Sequence, residues 1–254
     1  MNQLIEAGTM PPRCGLPEAR EIFAEYGAVV MPSPSERSDT LVEVAALLLG
    51  SRLRRLFPIR RQDGESGDYL GPHADGAWAL ADVHGQTVRL RDPDDDYVLQ
   101  RCLKPAAQGG ESFVLDGYRL ADRIRETDTE LHEFLTGVDV DFLAGWTNPS
   151  RGVPATPLLR RMIEHTRGGR RVVRTGSQAR PAPREPDAVR HQVMLDRYAA
   201  VVEAMAARAP RFRLDAGDVL VLDNYRYLHG RDAFVGARSL QVTTVVSTDA
   251  WSVW

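Results

Sequence analysis

Gly217-Asp218-Val219-Leu220-Val221-Leu222-Asp223-Asn224-Tyr225-Arg226-Tyr227-Leu228-His229-Gly230-Arg231 reads as a turn, a strand, a second turn and a second strand. The run Val219 to Leu222 is apolar without alternation, the pattern of a strand covered on both faces. A buried strand therefore delivers His229, and Gly236-Ala237-Arg238-Ser239-Leu240 leads into a further strand that runs to Val246. Upstream, Ala28 to Met31 and Ser112 to Leu115, the latter fed by a Gly109-Gly110 turn, carry the same signal. Between Leu53 and Leu103 short strands alternate with turns rich in Gly, Asp and Pro.

Helical periodicity is confined to a few segments. One carries Leu41, Val44, Ala45 and Leu48 on one face, with Ser38 or Asp39 as cap and Gly50 as stop. A second uses Leu120 and Ile124. A third starts near Thr127-Asp128, uses Leu131, Phe134 and Leu135, and ends at Gly137. A fourth runs from Asp187 through Met194, Tyr198, Val201 and Met205 to Pro210. Residues 145 to about 187 hold too many prolines for long regular elements, and a short helix is expected only around Leu158 to His165. Folded sequence continues on both sides, so this stretch reads as a lid-like insertion within one domain spanning 1–254. Strands that bracket helices predict a mainly β fold with flanking helices, built on a jelly-roll (double-stranded β-helix) core.

Bulk properties exclude several functions. The 254 residues are long enough for one sizeable core, and 43% hydrophobic with 26% charged residues argues against extended disorder. A formal net charge of -3 gives no electrostatic reason to expect nucleic acid as partner. The two cysteines, Cys14 and Cys102, cannot build a disulfide framework or a cysteine-rich zinc site. The N-terminal residues lack a basic start before an apolar core, and no apolar run reaches membrane-spanning length. A cytoplasmic protein is expected.

The chemistry lies in a few polar residues. In Gly71-Pro72-His73-Ala74-Asp75-Gly76, a histidine and a carboxylate two residues apart share one face if the backbone is extended. His84, preceded by Asp82, is a competing pair close by. With His229 the first pair completes two histidines and one carboxylate. That set leaves coordination positions open and suits non-haem Fe(II) binding both a cosubstrate and O2. Arg238 offers a planar, permanently charged clamp for the far carboxylate of a dicarboxylate cosubstrate. Arg231 is its rival, although an ion pair with Asp232 or a neighbouring acid would occupy it. Tyr225 and Tyr227 are in phase with His229, with barrel core as the simpler destination. His165 and His191 have no partner at ligand spacing. Residues 160 to 190 are rich in arginine, but Lys104 is the only lysine in the chain, so arginine is simply this protein's default cation.

These residues carry a family resemblance. His73-Ala74-Asp75-Gly76-Ala77-Trp78, the block Gly109 to Gly117, and Gly217 to Arg231 with the Gly-x-Arg-x-Leu at 236 to 240 stand in order. Together they resemble the clavaminate-synthase/taurine-dioxygenase-like superfamily of Fe(II)/2-oxoglutarate oxygenases, nearest its γ-butyrobetaine-hydroxylase-like branch. The resemblance implies iron on His73, Asp75 and His229. It implies that Arg238, assisted by the Ser112 hydroxyl, pairs with the C5 carboxylate of 2-oxoglutarate, and that Trp78 lines a substrate pocket. Hydroxylation, or desaturation or cyclisation, of a small polar metabolite such as an amino acid or natural-product intermediate would follow, with O2 as oxidant. Gly76 stands where the betaine hydroxylases typically carry Asn, which argues against γ-butyrobetaine. Val242 stands where the taurine-like branch has a second arginine, which argues against a sulfonate. The alternative from another class is a non-catalytic cupin-type jelly roll, which typically clusters its histidines more tightly around one hairpin.

Overall fold

The computed structural model describes residues 8–75, 78–83, 85–91, 95–142, 144, 157–176 and 179–251, and of 78–83 and 86–91 the backbone alone. Two antiparallel sheets form its centre. The larger runs in the order Ala28–Pro32, Asp218–Asp223, Tyr97–Lys104, Phe234–Ser247, Leu53–Leu56, and Arg60–Gly67 also pairs with Phe234–Ser247. The smaller runs Gly8–Thr9, Ser112–Asp116, Tyr227–Arg231, Leu70–His73. The chain thus has the jelly-roll core expected of it, mainly β with flanking helices.

Period-two alternation explains why its central strands, such as Ala28–Pro32 and Asp218–Asp223, are apolar on both faces. Val30, Val98, Leu220, Leu222, Leu240 and Val242 of the larger sheet meet Val114 and Tyr227 of the smaller one, filling the space between them. The alternate residues, Val29, Met31, Leu99, Val219, Val221 and Val245, face outward onto the helices Leu16–Tyr26 and Thr40–Leu49 through Phe23, Leu41, Val44 and Leu48. The outer face of the smaller sheet, Phe113, Leu115 and Leu228, is covered by Gly117–Thr127, Thr129–Gly137 and Ala188–Ala206 through Leu120, Ile124, Leu131, Leu135, Met194, Tyr198 and Met205. Two helices begin on aspartate caps. The Asp116 carboxylate accepts from Tyr118 N and Arg119 N, and that of Asp128 from Leu131 N.

Three elements differ from expectation. The helix Leu16–Tyr26 was not anticipated, although Pro17 in its first turn and Gly27 at φ 71° past its end are the start and stop signals that would have found it. The last strand begins at Phe234, ahead of Leu240. The helix expected around Leu158 to His165 is instead two strands, Leu159–Arg160 and Ile163–His165, paired with Val140–Asp141 and Arg171–Val173. Cross-strand pairing overrides a weak local preference there.

Several arginines of this stretch are held in ion pairs. Arg170 is held between Asp96 and Asp223, at 2.7 and 2.6 Å, and between the rings of Tyr97 and Tyr225, at 4.6 and 4.7 Å to their centroids. Arg171 pairs with Asp122, and Arg174 with Glu164. Among the described residues no helix is long and apolar enough to cross a membrane.

Arg170→Ala should therefore destabilise the protein by about 3–5 kcal/mol, because it strands the fully buried Asp96 carboxylate without its cation. Denaturant unfolding measures this; an unchanged midpoint would show that the cluster is energetically idle.

Candidate metal and dicarboxylate site

At one end of the barrel the inward-facing positions turn from apolar to polar. Gln100 is in phase with Val98 and Cys102, Ser112 with Val114, His229 with Tyr227, and Arg238 with Leu240 and Val242. Gln62, Gln100, Ser112, His229, Arg231 and Arg238 line a recess together with His73, Asp75 and several apolar neighbours.

His73 and His229 are brought together by strand register. Tyr227–Arg231 pairs with Leu70–His73 so that the two histidines are direct partners, with ring centroids 4.4 Å apart. Gly230 permits the approach: a Cβ there would lie 2.4 Å from Phe113 Cζ and 2.5 Å from Leu70 O. His73 Nδ1 donates to Gly71 O at 2.9 Å, which leaves Nε2 to face the recess. Asp75 completes the group, with Oδ1 3.5 Å from His73 Nε2 and Oδ2 3.6 Å from His229 Nε2. Burial alone would push the Asp75 carboxyl up, but hydrogen bonds and charge from His229 and His73 hold it well below the usual carboxylate range.

One donor atom from each of these residues lies within 4.8 Å of the others, so the three converge closely enough to share one ion. Two imidazoles and a carboxylate, gathered on one side of a recess, are a donor set that fits Fe(II). Gln100 Nε2 comes within 3.1 Å of His229 Nε2, a neighbour the sequence gave no reason to single out. A second group within the same reach, Glu185, Asp187 and His191, sits at the start of the helix Ala188–Ala206 with Asp187 exposed. His191 thus has acidic neighbours that its sequence spacing did not suggest.

The other end of the recess is cationic. Among the described residues no carboxylate lies at ion-pair distance from Arg231 or Arg238. Asp232, the expected partner of Arg231, is taken by Arg211 at 3.0 Å. Arg231 instead donates to Asp68 O at 2.6 Å and Asp232 O at 3.2 Å. Both guanidiniums pack near the Phe234 ring, at 4.7 and 5.5 Å from its centroid. Burial and the charge of Arg231 lower the pKa of Arg238, the mark of a cation short of an anion. Ser112 stands directly opposite Arg231 across the ladder, and its hydroxyl bonds to no described residue.

The remaining expectations resolve simply. Tyr227 packs between the sheets and donates to Tyr26 O at 2.7 Å, while the buried Tyr225 accepts from Trp251 N at 2.8 Å, so neither lines the recess. The Trp78 side chain, Gly76 and His84 lie outside the described residues, although the Trp78 backbone is part of the strand Trp78–Val83.

The asparagine beside this site was not singled out from sequence either. Asn224 Oδ1 accepts from Asp75 N at 3.0 Å, and its Nδ2 donates to Asp75 O at 2.7 Å. The signal was present in Asp223-Asn224-Tyr225-Arg226, a turn that leads directly into the His229 strand.

The chain is similar in sequence and fold to known proteins. The chain is 33% identical over 138 residues to γ-butyrobetaine dioxygenase of Pseudomonas sp. (strain AK-1), covering 52% of this chain and 34% of that enzyme. It is 24% identical over 143 residues to the human γ-butyrobetaine dioxygenase, covering 54% of this chain and 35% of that one. The match thus spans about a third of the length of these relatives. A taurine dioxygenase structure from Burkholderia xenovorans superposes with a TM-score of 0.58 at 14% identity, covering 95% of this chain and 91% of that one, a likeness of fold. A family model described as taurine catabolism dioxygenase TauD, TfdA family matches residues 14–244. Matched over most of its length, the chain belongs to the TauD/TfdA family.

Proposed function

We propose that this protein is an Fe(II)- and 2-oxoglutarate-dependent oxygenase in which His73, Asp75 and His229 hold the iron and Arg238, with Ser112, receives the far carboxylate of 2-oxoglutarate. The observation that carries the reading is one recess with three converging ligand atoms at one end and, at the other, a half-buried arginine that pairs with no carboxylate among the described residues. A dicarboxylate that reaches a metal with one end and Arg238 with the other answers both features.

Iron bound there supplies the redox chemistry by which O2 and 2-oxoglutarate give succinate and CO2 while one oxygen atom enters the substrate. The residues do the rest. The Gly71 carbonyl fixes the His73 ring so that Nε2 faces inward. Asp75 contributes the negative charge that offsets part of a divalent cation's. Arg238 neutralises a carboxylate that burial would otherwise penalise, and its planar fork orients it. The apolar layer behind the recess, with Leu220 and Leu240 in its wall, keeps water from that end of the barrel.

The substrate is a small polar molecule. Val242, buried between the sheets, supplies no charge for a sulfonate, and Gly76 argues against γ-butyrobetaine itself. Oxygen insertion, and not halogenation, is the expected outcome, because Asp75 fills with protein oxygen the position a halide would need.

His229→Ala removes one of three protein ligands and should abolish Fe(II)-dependent succinate formation while circular dichroism shows the fold retained; normal turnover would refute the ligand assignment. Arg238→Gln should raise the 2-oxoglutarate requirement by roughly 30-fold or more, from the loss of about 2–5 kcal/mol in a partly buried charge pair. An unchanged requirement would move the clamp to Arg231. Product made in excess chloride should show no chlorine by mass spectrometry, and a chlorinated main product would mean that Asp75 does not reach the metal.

A further inference from the structure

Strand pairing accounts for the placement of His73 and His229, but not for that of Asp75. The strand Leu70–His73 ends at the first histidine, and residues 74 and 75 lie beyond it. A backbone that stays extended through Asp75 would put its carboxylate on the same face as His73. A peptide past the end of its ladder has a donor and an acceptor to satisfy, and no neighbouring strand to satisfy them.

Asn224 supplies both partners from a side chain. Its carboxamide accepts from Asp75 N at 3.0 Å and donates to Asp75 O at 2.7 Å. The second hydrogen of the same Nδ2 goes to Asp95 O at 2.6 Å, and the Asn224 backbone N donates to Asp96 O at 2.9 Å. At 2% exposure the side chain is enclosed, so its orientation is fixed by these bonds and not by solvent. A carboxamide carries an acceptor and a donor side by side, so it can meet the N–H and the C=O of a single residue, which point the same way in an extended chain. Asn224 therefore does for Asp75 what the paired residue of a neighbouring strand would do.

We propose that Asn224 is the positioning residue for Asp75, holding its backbone in the extended path that turns the carboxylate toward His73 and His229. The proposal rests on the reading of Asp75 as a metal ligand. Asn224 also opens the turn that leads into the His229 strand, so one short segment, Asn224 to His229, delivers the second histidine and fixes the carboxylate. Aspartate at 224 would keep the acceptor for Asp75 N but lose both donations; alanine would lose all three bonds.

The test is Mn(II) titration followed by electron paramagnetic resonance. The proteins are the unmodified chain, Asn224→Ala, Asn224→Asp and Asp75→Ala, each also melted without metal. Outer partners of metal ligands typically contribute about 10–100-fold in affinity. Both Asn224 variants should weaken Mn(II) binding by that order while the metal-free proteins still melt cooperatively, and Asp75→Ala should weaken it at least as much. Unchanged Mn(II) affinity in the Asn224 variants, beside a weakened Asp75→Ala, would overturn the role of Asn224 and leave the ligand set standing. Unchanged affinity in Asp75→Ala would overturn the ligand set and this proposal with it. Should the alanine variant not fold, the near-isosteric aspartate carries the comparison. Failure of both to fold would make Asn224 a determinant of the fold and overturn a specific role at the site.

Discussion

The site depends on one pairing: His229 opposite His73 across two short antiparallel strands. A strand's side chains alternate faces, so a slip of one residue would send His229 to the helical side and bring Leu228 or Gly230 inward. In strands apolar on both faces the hydrophobic pattern specifies register only weakly. Here the fit of individual residues supplies what the pattern does not. Gly230 leaves room for Phe113 and the Leu70 carbonyl where any side chain would collide. Arg226 reaches across to the Asp116 carboxylate at 2.7 Å, joining the start of the His229 strand to the cap of the following helix. Asn224 then clasps the peptide of Asp75 from the turn before that strand.

Charge is distributed with the same economy. Several arginines described in the insertion are used in ion pairs, and Arg170 joins its hairpin to Asp96, just ahead of the strand Tyr97–Lys104, and to Asp223 beside the Asn224 turn. Against that background the absence of an acidic partner for Arg231 and Arg238 among the described residues is informative. Two neighbouring guanidiniums, one half-buried, repel one another unless an anion shares the space. The recess accordingly has opposite electrostatic needs at its two ends, a cation beside Asp75 and an anion beside Arg238.

Much of this was legible in the sequence. His73 and Asp75 were in phase, the run from Val219 to Leu222 read as a strand buried on both faces, and Arg238 stood where a new strand brings it inward. Apart from the helix Leu16–Tyr26, whose local signals were there to be read, what escaped were features set by distant contacts. The strands at Leu159–Arg160 and Ile163–His165 exist because Val140–Asp141 and Arg171–Val173 pair with them, which local propensity does not record. The freedom of Arg231 from Asp232 depends on Arg211, twenty positions away in the chain and adjacent only after folding. Asn224 looked like an ordinary turn residue, since its partners lie at Asp75 and Asp95, on the far side of the sequence.

The most direct test is calorimetric titration of 2-oxoglutarate, without O2, into the protein with and without Mn(II), beside 2-oxobutyrate, which lacks the second carboxylate. If the recess joins a metal to a dicarboxylate clamp, 2-oxoglutarate binds at one saturable site only when metal is present, and 2-oxobutyrate binds far more weakly. Equal binding with and without metal, or equal binding of the two acids, would contradict it.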